Sequence, residues 1–149
     1  MRKTIIFIHR NSVLVHFIVL SIGSCCLCDF NVTEFKREQG GFFLNILHTS
    51  DWHFGKQLDG NSRIEEQKEF VEELYDICEK ENIDLILLAG DVFDNGNPSA
   101  QAEELFYKAA KKLCKNGTRP LIAIAGNHDS AERLTAADTL AYEHGLILL

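Results

Sequence analysis

The segment LLAGDVFDNG, residues 87–96, carries the pattern that decides the fold of this chain. An apolar run ends at Gly90, and Asp91 and Asp94 then follow three residues apart. Aspartates directly after a buried strand fit two interpretations, a turn whose carboxylates cap backbone N–H groups or a metal site. The pattern of the rest of the chain distinguishes the two.

Strand-like segments recur along the chain and alternate with helical patterns. We predict strands at about 44–48, 84–89 and 120–125, and the terminal segment GLILL predicts a further strand. The runs IDLILLAG and RPLIAIAG are almost continuously apolar, which is typical of strands covered on both faces. Strands that alternate with helices predict an α/β fold with a mostly parallel sheet flanked by helices.

Three helices are predicted between these strands. Apolar residues at helical spacing mark residues 63–81, and Ser62 with Glu65 forms the pattern of a capping box at the start. A proline in the first turn suits a second helix at 98–115, and a shorter helix is predicted at 131–143. The residues predicted to face the core are Ile64, Val71, Leu74, Ile77 and Cys78 in the first helix and Ala102, Leu105, Phe106, Ala109 and Leu113 in the second.

Three of the predicted strands are each followed by residues of the types that commonly bind metal ions. DWH follows the first, GDVFD the second and GNHD the third, and the carboxyl ends of parallel strands meet at one edge of a sheet. The candidate ligands are Asp51, His53, Asp91, Asp94, Asn127, His128 and Asp129. Oxygen and imidazole ligands without thiolates suit manganese, iron or zinc, and a carboxylate can bridge two such ions about 3.5–4 Å apart.

Each cluster taken alone has a simpler interpretation. Asp-x-His after a strand also forms turns and helix caps, and Asn-His-Asp also fits a cap for a helix that starts near Ser130. The recurrence of such clusters after three successive strands favours one shared metal site over three separate caps. We assign neither of two other histidines to metal: His48 is interpreted as a packing residue, and His144 as a complement to a helix dipole.

Residues 1–43 differ in character from residues 44–149. The first segment holds five Lys/Arg and three Asp/Glu, a net charge of +2, and the second holds ten and nineteen, a net charge of −9. Basic residues precede an apolar stretch at 13–22 and a cysteine-rich patch, which is the outline of a secretory or lipoprotein signal with Cys25 as the candidate for lipidation. The stretch is shorter than the about 20 apolar residues of a membrane-spanning helix.

Three interpretations of residues 1–43 stay open. Codons for Gln39-Gly40-Gly41 can contain a bacterial ribosome-binding sequence, and the codon of Leu44 can be the alternative start TTG. Residues 1–43 would then be a doubtful extension from a mis-called start. The alternatives are a genuine signal or anchor and a translated extension of another kind. We predict that residues 1–40 pack poorly against the core and that the stretch at 13–22 forms a helix.

Composition restricts the class of protein. A chain of 149 residues suits one domain, and contents of 46% hydrophobic and 25% charged residues are typical of globular proteins. The net charge of −7 argues against a broad basic surface that grips nucleic acid unaided. Cys78 and Cys114 lack CxxC partners and are predicted to be buried free thiols in a reducing compartment.

The three clusters, D-x-H, G-D-x-x-D and G-N-H-D, resemble the first three motifs of the calcineurin-like metallophosphoesterases. Longer segments, ILHTSDWHFGKQLDGNSRIEEQ, LAGDVFDNGNPSAQAEELFY and IAGNHDSAERL, are similar to the SbcD-type nucleases within that family. The resemblance covers residues 44–149. It implies the amino-terminal half of a metallophosphoesterase α/β/β/α sandwich, as a truncated calcineurin-like domain.

The resemblance also implies a role for each residue of the clusters. The implied metal ligands are Asp51 and His53 on a first ion, Asp91 on both ions and Asn127 on the second. His128 would act on the transition state as a donor to the phosphate or the leaving oxygen. Asp94 and Asp129 would orient a histidine or hold the geometry of a loop.

As a whole, the resemblance implies an exonuclease and endonuclease that hydrolyses phosphodiester bonds at DNA double-strand ends and hairpins. Two divalent ions, with Mn²⁺ as the expected metal, would serve the reaction. The implied partner is an SbcC-type ATPase, in a heterotetramer when the protein has full length, in DNA recombination, repair and replication. A cytoplasmic location without membrane contact is expected, and export or anchoring is the alternative if residues 1–28 are a genuine signal.

The family pattern continues with a further histidine and a Gly-His-x-His loop, which do not follow the third cluster here. We therefore expect an amino-terminal fragment that is not a competent nuclease by itself. The alternatives are a metallophosphoesterase that acts on a small phosphate ester and a non-catalytic product. The segment HFGKQLDGNSR argues against the small-ester alternative, because members with small substrates need not share that loop.

Overall fold

A computed structural model describes the backbone of residues 4–9, 13–19 and 30–37, together with residues 44–149 except the side chain of Leu140. Within these ranges, no helix combines the length and apolarity needed to cross a membrane. The strands are β1 Thr4–His9, β2 Val13–Val19, β3 Phe30–Arg37, β4 Leu44–Thr49, β5 Gln57–Leu58, β6 Asn61–Ser62, β7 Leu85–Ala89, β8 Leu121–Ile124 and β9 Leu146–Leu148. The helices are α1 Ile64–Lys80, α2 Ala100–Leu113, α3 Ala131–Thr135 and α4 Asp138–Tyr142.

Seven of these strands form one sheet in the order β1-β2-β3-β4-β7-β8-β9, while β5 and β6 form a small separate hairpin. From β4 onward all neighbours are parallel: Thr49 pairs with Leu88, and Leu88 pairs with Ala123. The prediction of parallel strands side by side near 44–48, 84–89 and 120–125 is therefore confirmed, as is the strand in GLILL. This part of the sheet brings the carboxyl ends of β4, β7 and β8 to one edge.

The amino-terminal segment differs from its prediction. Of the stretch expected as a helix at 13–22, residues 13–19 form strand β2, which pairs antiparallel with β1 and β3, and the rest lies outside the described residues. Strand β3 in turn pairs antiparallel with β4, so this segment extends the sheet. An apolar run does not by itself separate helix from strand, and the sequence of β2, VLVHFIV, is rich in the β-branched residues that favour strands. Side-chain packing of this segment lies outside the described residues.

The parallel strands bury one face more than the other. In β7, Ile86 and Leu88 are fully buried in the core with the inward residues of α1 and α2, whereas Leu85 and Leu87 are half-buried. The same alternation continues in β8, where Ala123 is buried and its neighbour Ile124 is exposed. The expectation of strands fully covered on both faces is therefore wrong for the described residues.

Helix α1 begins at Ile64, but the capping box predicted at its start does not form. Ser62 belongs to β6, where it pairs with Gln57, and the cap residue is Arg63, whose side chain makes no capping hydrogen bond. The carboxylate of Glu65 pairs with Lys68 instead. The Oγ of Ser62 accepts a hydrogen bond from the N–H of Ile64 at 3.4 Å, but the hairpin places Ser62 one residue before the cap position, so tertiary structure overrides the local signal.

Helix α2 begins two residues later than predicted. Its cap is Ser99, whose Oγ accepts a hydrogen bond from the N–H of Ala102 at 3.2 Å. Pro98 therefore precedes the cap and is buried, instead of occupying the first turn. The residues predicted to face the core in α2 are all buried, as are those in α1 apart from the partly buried Ile77.

The third predicted helix is interrupted and forms α3 and α4. The hydroxyl of Thr135 donates to the carbonyl of Ala131 at 2.8 Å, a back-bond that bends helices. Ala137 then leaves the helical region, with φ of −101° and ψ of 7°. Asp138 at the start of α4 accepts a hydrogen bond from the N–H of Leu148, which ties this segment to β9.

Cys78 and Cys114 are buried free thiols, as predicted. Burial raises the pKa of each thiol from 9.0 to about 11, because the thiolate loses its hydration inside the core. In the folded chain both side chains therefore stay neutral through the physiological range. As pH rises from 9 towards 11, the unfolded chain ionises these thiols before the folded one, so stability falls across that window.

The raised pKa of the two thiols predicts slow alkylation. At pH 8, a shift from 9.0 to about 11 leaves about a hundredfold less thiolate, and burial hinders access further. We expect iodoacetamide to modify Cys78 and Cys114 at least about a hundredfold more slowly in the native chain than in urea, as measured by mass spectrometry of the two peptides. Equal rates in both states would contradict the burial of these thiols.

Candidate metal centre

The loops that follow β4, β7 and β8 meet at one edge of the sheet. His53 Nε2 lies 3.7 Å from Oδ1 of Asp51 and 4.0 Å from Oδ2 of Asp91. The ring of His128 lies edge-on to that of His53, with the centroids 4.9 Å apart. Residues predicted from three separate segments thus converge on His53.

The loop after β4 alternates between outward ligands and inward aromatic side chains. Trp52 is buried, its Nε1 donates to Oγ1 of Thr49 at 2.9 Å, and its ring packs against Phe54 at 5.3 Å. Asp51 and His53 on either side have positive φ values of 59° and 45°. This left-handed backbone turns both side chains to the edge while Trp52 anchors the loop in the core.

Backbone hydrogen bonds join this loop to the one after β7. The N–H of His53 donates to the carbonyl of Asp91 at 3.0 Å, and the N–H of Phe54 donates to the carbonyl of Val92 at 2.9 Å. Asp91 itself has a φ of 51°. The parallel pairing of β4 and β7 therefore continues past the strand ends, and it sets the separation between the first two clusters.

The carboxylate of Asp91 is fixed by the third loop. Its Oδ1 accepts a hydrogen bond from the backbone N–H of His128 at 2.9 Å, while Oδ2 faces His53. A Cβ atom on Gly126 would lie 2.2 Å from both the backbone N and Oδ1 of Asp91. The glycine before the third cluster is therefore required by the close approach of the loops.

Asp129 holds the second and third loops together. Its Oδ2 accepts hydrogen bonds from the N–H groups of Val92 at 3.0 Å and Gly126 at 2.8 Å, and its Oδ1 accepts one from Phe93 at 2.8 Å. A carboxylate that satisfies three backbone donors is a strong loop clamp. Asp129 thus acts on the site through the backbone, without facing its centre.

The donor set fits a divalent metal ion. Oxygen and nitrogen ligands about 2.1 Å from one ion lie roughly 3–4 Å from each other. The separations of 3.7 and 4.0 Å around His53 Nε2 match that range and exceed a hydrogen bond. Asp51, His53 and Asp91 form one group able to hold an ion, and His53, Asp94 and His128 form another.

His53 also has a partner in position to orient it. Its Nδ1 is buried and makes no hydrogen bond, but Oδ1 of Asp94 lies 3.7 Å away. Coordination through Nε2 requires the ring proton on Nδ1, where this carboxylate faces it. The orienting role that the resemblance implies for Asp94 stays a prediction.

His128 is exposed, and one nitrogen of its ring is engaged by the backbone of the second loop. Its Nδ1 lies 3.0 Å from the carbonyl oxygen of Asp94, so the proton on Nδ1 makes this hydrogen bond and Nε2 is left for other contacts. Asn127 is also exposed, between Gly126 and His128. Its assignment to a second ion stays a prediction.

The two histidines not assigned to metal lie elsewhere. His48 is half-buried within β4, opposite Leu87. His144 is exposed beside Gly117, in the turns that lead into β8 and β9 at the opposite edge of the sheet.

One contributor to the site was missed from the sequence. Gln67 lies on the inward face of α1, is 1% exposed, and bonds to the backbone of the loop after β4. Its position was a usable signal, because it is three residues after Ile64 and four before Val71, in the apolar stripe of the helix. A polar residue in such a stripe needs a buried partner.

Comparison with known proteins agrees with this geometry. The model of the family described as calcineurin-like phosphoesterase matches residues 44–146. The chain is 50% identical over 106 residues to the SbcD subunit of the nuclease SbcCD from Bacillus subtilis, with coverage of 71% of this chain and 27% of the relative. The SbcD subunits from Rhodobacter capsulatus and Escherichia coli K12 are 41% identical over 107 residues and 38% identical over 100 residues.

The segment similar to the Rhodobacter capsulatus relative makes up 71% of this chain and 26% of that relative. The segment similar to the Escherichia coli K12 relative makes up 66% of this chain and 25% of that relative. It therefore spans about a quarter of the length of the curated relatives it matches. The family model, in contrast, extends over most of the chain and includes all three loops that carry candidate ligands. The chain belongs to the calcineurin-like phosphoesterase family.

Proposed function

We propose that this chain supplies the first three loops of a two-metal phosphodiesterase centre in an SbcD-type DNA nuclease. The observation that carries the proposal is the convergence of Asp51, His53 and Asp91 within ligand distance of one another. The similarity to the SbcD subunits of three SbcCD nucleases supports DNA as the substrate class. Mn²⁺ is the proposed metal, since oxygen and imidazole ligands without thiolates suit it.

Each loop has a distinct task in the proposed centre. Asp51 and His53 would hold the first ion, Asp91 would serve both ions, and Asn127 would hold the second. His128 presents Nε2 to the phosphate or the leaving oxygen, since its Nδ1 is engaged by the carbonyl of Asp94. When bound, the ions supply Lewis-acid stabilisation of the phosphoryl oxygens and an activated water.

The charges of the site agree with this assignment. Three carboxylates, those of Asp51, Asp91 and Asp94, surround one imidazole within about 4 Å. Such a concentration of negative charge repels a phosphate unless cations intervene. Bound divalent ions would therefore neutralise the charge of these three carboxylates and allow a phosphate to approach them. They also give a reason for a nuclease centre in a chain with a net charge of −7.

The remaining features are proposed from the relatives as a class. The full-length protein would assemble with an SbcC-type ATPase, as a heterotetramer, and act on DNA ends and hairpins in recombination and repair. A cytoplasmic location follows from that role. The strong negative charge of residues 44–149 makes a partner that provides DNA-binding surface physically reasonable.

A chimera tests the proposed function. Residues 44–149 replace the matching segment of the Bacillus subtilis relative, which is 50% identical over 106 residues. We expect this chimera to degrade linear duplex DNA in the presence of Mn²⁺ and to lose that activity in EDTA, as followed by gel electrophoresis. The unmodified relative is the control.

Two outcomes would count against this function. A folded chimera that cleaves neither DNA nor p-nitrophenyl phosphate would show that the three loops do not form a competent centre. Mn²⁺-dependent cleavage of p-nitrophenyl phosphate without cleavage of DNA would favour the alternative of a small-ester phosphoesterase.

A further inference from the structure

Gln67 is a buried polar side chain within an otherwise apolar helix face. It is 1% exposed, and the other buried residues of α1 are Ile64, Val71, Leu74 and Cys78. An amide removed from water costs free energy unless its donor and acceptor are both engaged. An apolar residue of similar length would pack at this position without that requirement. The presence of an amide at this buried position must therefore be explained by its hydrogen-bond partners.

Both ends of the Gln67 amide bind the backbone of the first ligand loop. Nε2 donates to the carbonyl oxygen of His53 at 2.8 Å, and Oε1 accepts from the N–H of Gly55 at 3.1 Å. The carbonyl of His53 accepts a second hydrogen bond from the N–H of Lys56 at 3.0 Å, which closes a turn. The side chain thus joins α1 to the loop on both sides of Phe54.

The loop adopts a backbone that needs such support. His53 has a φ of 45°, a left-handed conformation that is unfavourable for a residue with a β-carbon, and Gly55 has a φ of 90°. On the other side of the loop, a Cβ on Gly55 would lie 2.9 Å from Cβ of Ala102. The loop is therefore held between Gln67 of α1 and Ala102 of α2.

The geometry points to Gln67 as a positioning residue for the metal ligand His53. We propose that its two hydrogen bonds keep the loop in the conformation that turns His53 Nε2 towards Asp51 and Asp91. The part of this inference that concerns metal binding by His53 rests on the proposed function. The support of the loop itself is a property of the chain that does not depend on any ion.

The first test measures the loop without metal. In the 149-residue chain kept in EDTA, Gln67→Met removes both hydrogen bonds while retaining a side chain of similar size. We expect amide hydrogen exchange at Gly55 to become at least about tenfold faster, with exchange in the middle of α1 almost unchanged. Val71→Ala, one turn further along the same helix, is the matched control: it weakens core packing but removes no hydrogen bond to the loop, because a valine side chain has no polar atom. It should leave the local exchange at Gly55 unaltered.

The second test measures Mn²⁺ binding. Trp52 is the single tryptophan of the chain and lies between Asp51 and His53, so paramagnetic Mn²⁺ in the site should quench its fluorescence. We expect Gln67→Met to weaken Mn²⁺ affinity by about tenfold or more, the range typical of groups that orient a ligand. Val71→Ala should keep the wild-type affinity.

The two tests decide separately whether Gln67 supports the loop and whether it positions His53 for metal. Unchanged exchange at Gly55 in Gln67→Met would overturn the support of the loop. Faster exchange with unchanged Mn²⁺ affinity would overturn the positioning role and leave Gln67 a purely structural residue. A wild-type chain whose Trp52 does not respond to Mn²⁺ would count against the metal centre itself and with it against positioning for metal, whereas the exchange result would still decide the support of the loop. Faster exchange together with weaker Mn²⁺ binding supports the full inference.

Discussion

Asp91→Asn, introduced into the chimera described above, is expected to reduce Mn²⁺-dependent DNA hydrolysis by at least about a hundredfold. The substitution keeps the shape of the side chain, and its remaining oxygen can still accept the hydrogen bond from the N–H of His128. What it removes is one negative charge at the position proposed to lie between two dications. Activity is measured on linear duplex DNA, and the fold by circular dichroism.

Asp59→Asn is a matched control for this substitution. Asp59 also has a φ of 51°, the same value as Asp91, but it is exposed in the turn between β5 and β6. The two variants therefore share the chemical change and the backbone conformation and differ in location. We expect Asp59→Asn to keep the activity of the chimera. Substantial activity in Asp91→Asn, or an equal loss in both variants, would refute the bridging role of Asp91.

The edge of the sheet was predictable because its signals agree with one another. The apolar run LILLA predicts a short buried strand, and Gly90 ends it. An aspartate directly after such a strand, Asp91, indicates either a capped turn or a metal site. The same order of apolar run, glycine and polar residue recurs before Asn127, whereas the strand before Asp51 ends in Thr49 and Ser50 without a glycine. Parallel strands then bring the three loops together, whatever the details of the helices between them.

Local signals failed where tertiary contacts compete with them. Ser62 and Glu65 have the spacing of a capping box, yet Ser62 pairs with Gln57 in a hairpin that the sequence pattern did not reveal. The helical pattern over residues 131–143 gave no sign of its interruption, after which Asp138 accepts a hydrogen bond from the N–H of Leu148 in β9. Propensity describes a segment alone, whereas these outcomes depend on neighbours.

The orientation of the candidate metal ligands was not predictable from the sequence. Asp51, His53 and Asp91 all adopt positive φ, an uncommon conformation for residues with a β-carbon. Histidine and aspartate at these positions fit many loop conformations, so their identity alone does not indicate it. The strain is sustained by contacts from a distance, among them the amide of Gln67 and the carboxylate of Asp129.

Asp129→Ala is expected to lower the free energy of unfolding of the 149-residue chain by about 3 kcal/mol or more. The substitution leaves the N–H groups of Val92, Phe93 and Gly126 without their acceptor, and each unsatisfied buried donor costs about 1–3 kcal/mol. Val92 and Phe93 are both buried, so water cannot easily replace the carboxylate. Urea unfolding in EDTA, followed by the fluorescence of Trp52, measures the change without any contribution from bound metal.

Glu132→Ala separates this effect from the simple loss of a negative charge. Glu132 lies three residues after Asp129 and is exposed in the first turn of α3, so its removal should change stability by no more than about 0.5 kcal/mol. If the two variants unfold at the same urea concentration, Asp129 does not clamp the loops. If only Asp129→Ala is destabilised, the last aspartate of the G-N-H-D cluster acts by joining two ligand loops, and a role as a direct metal ligand is not needed to explain its place in the motif.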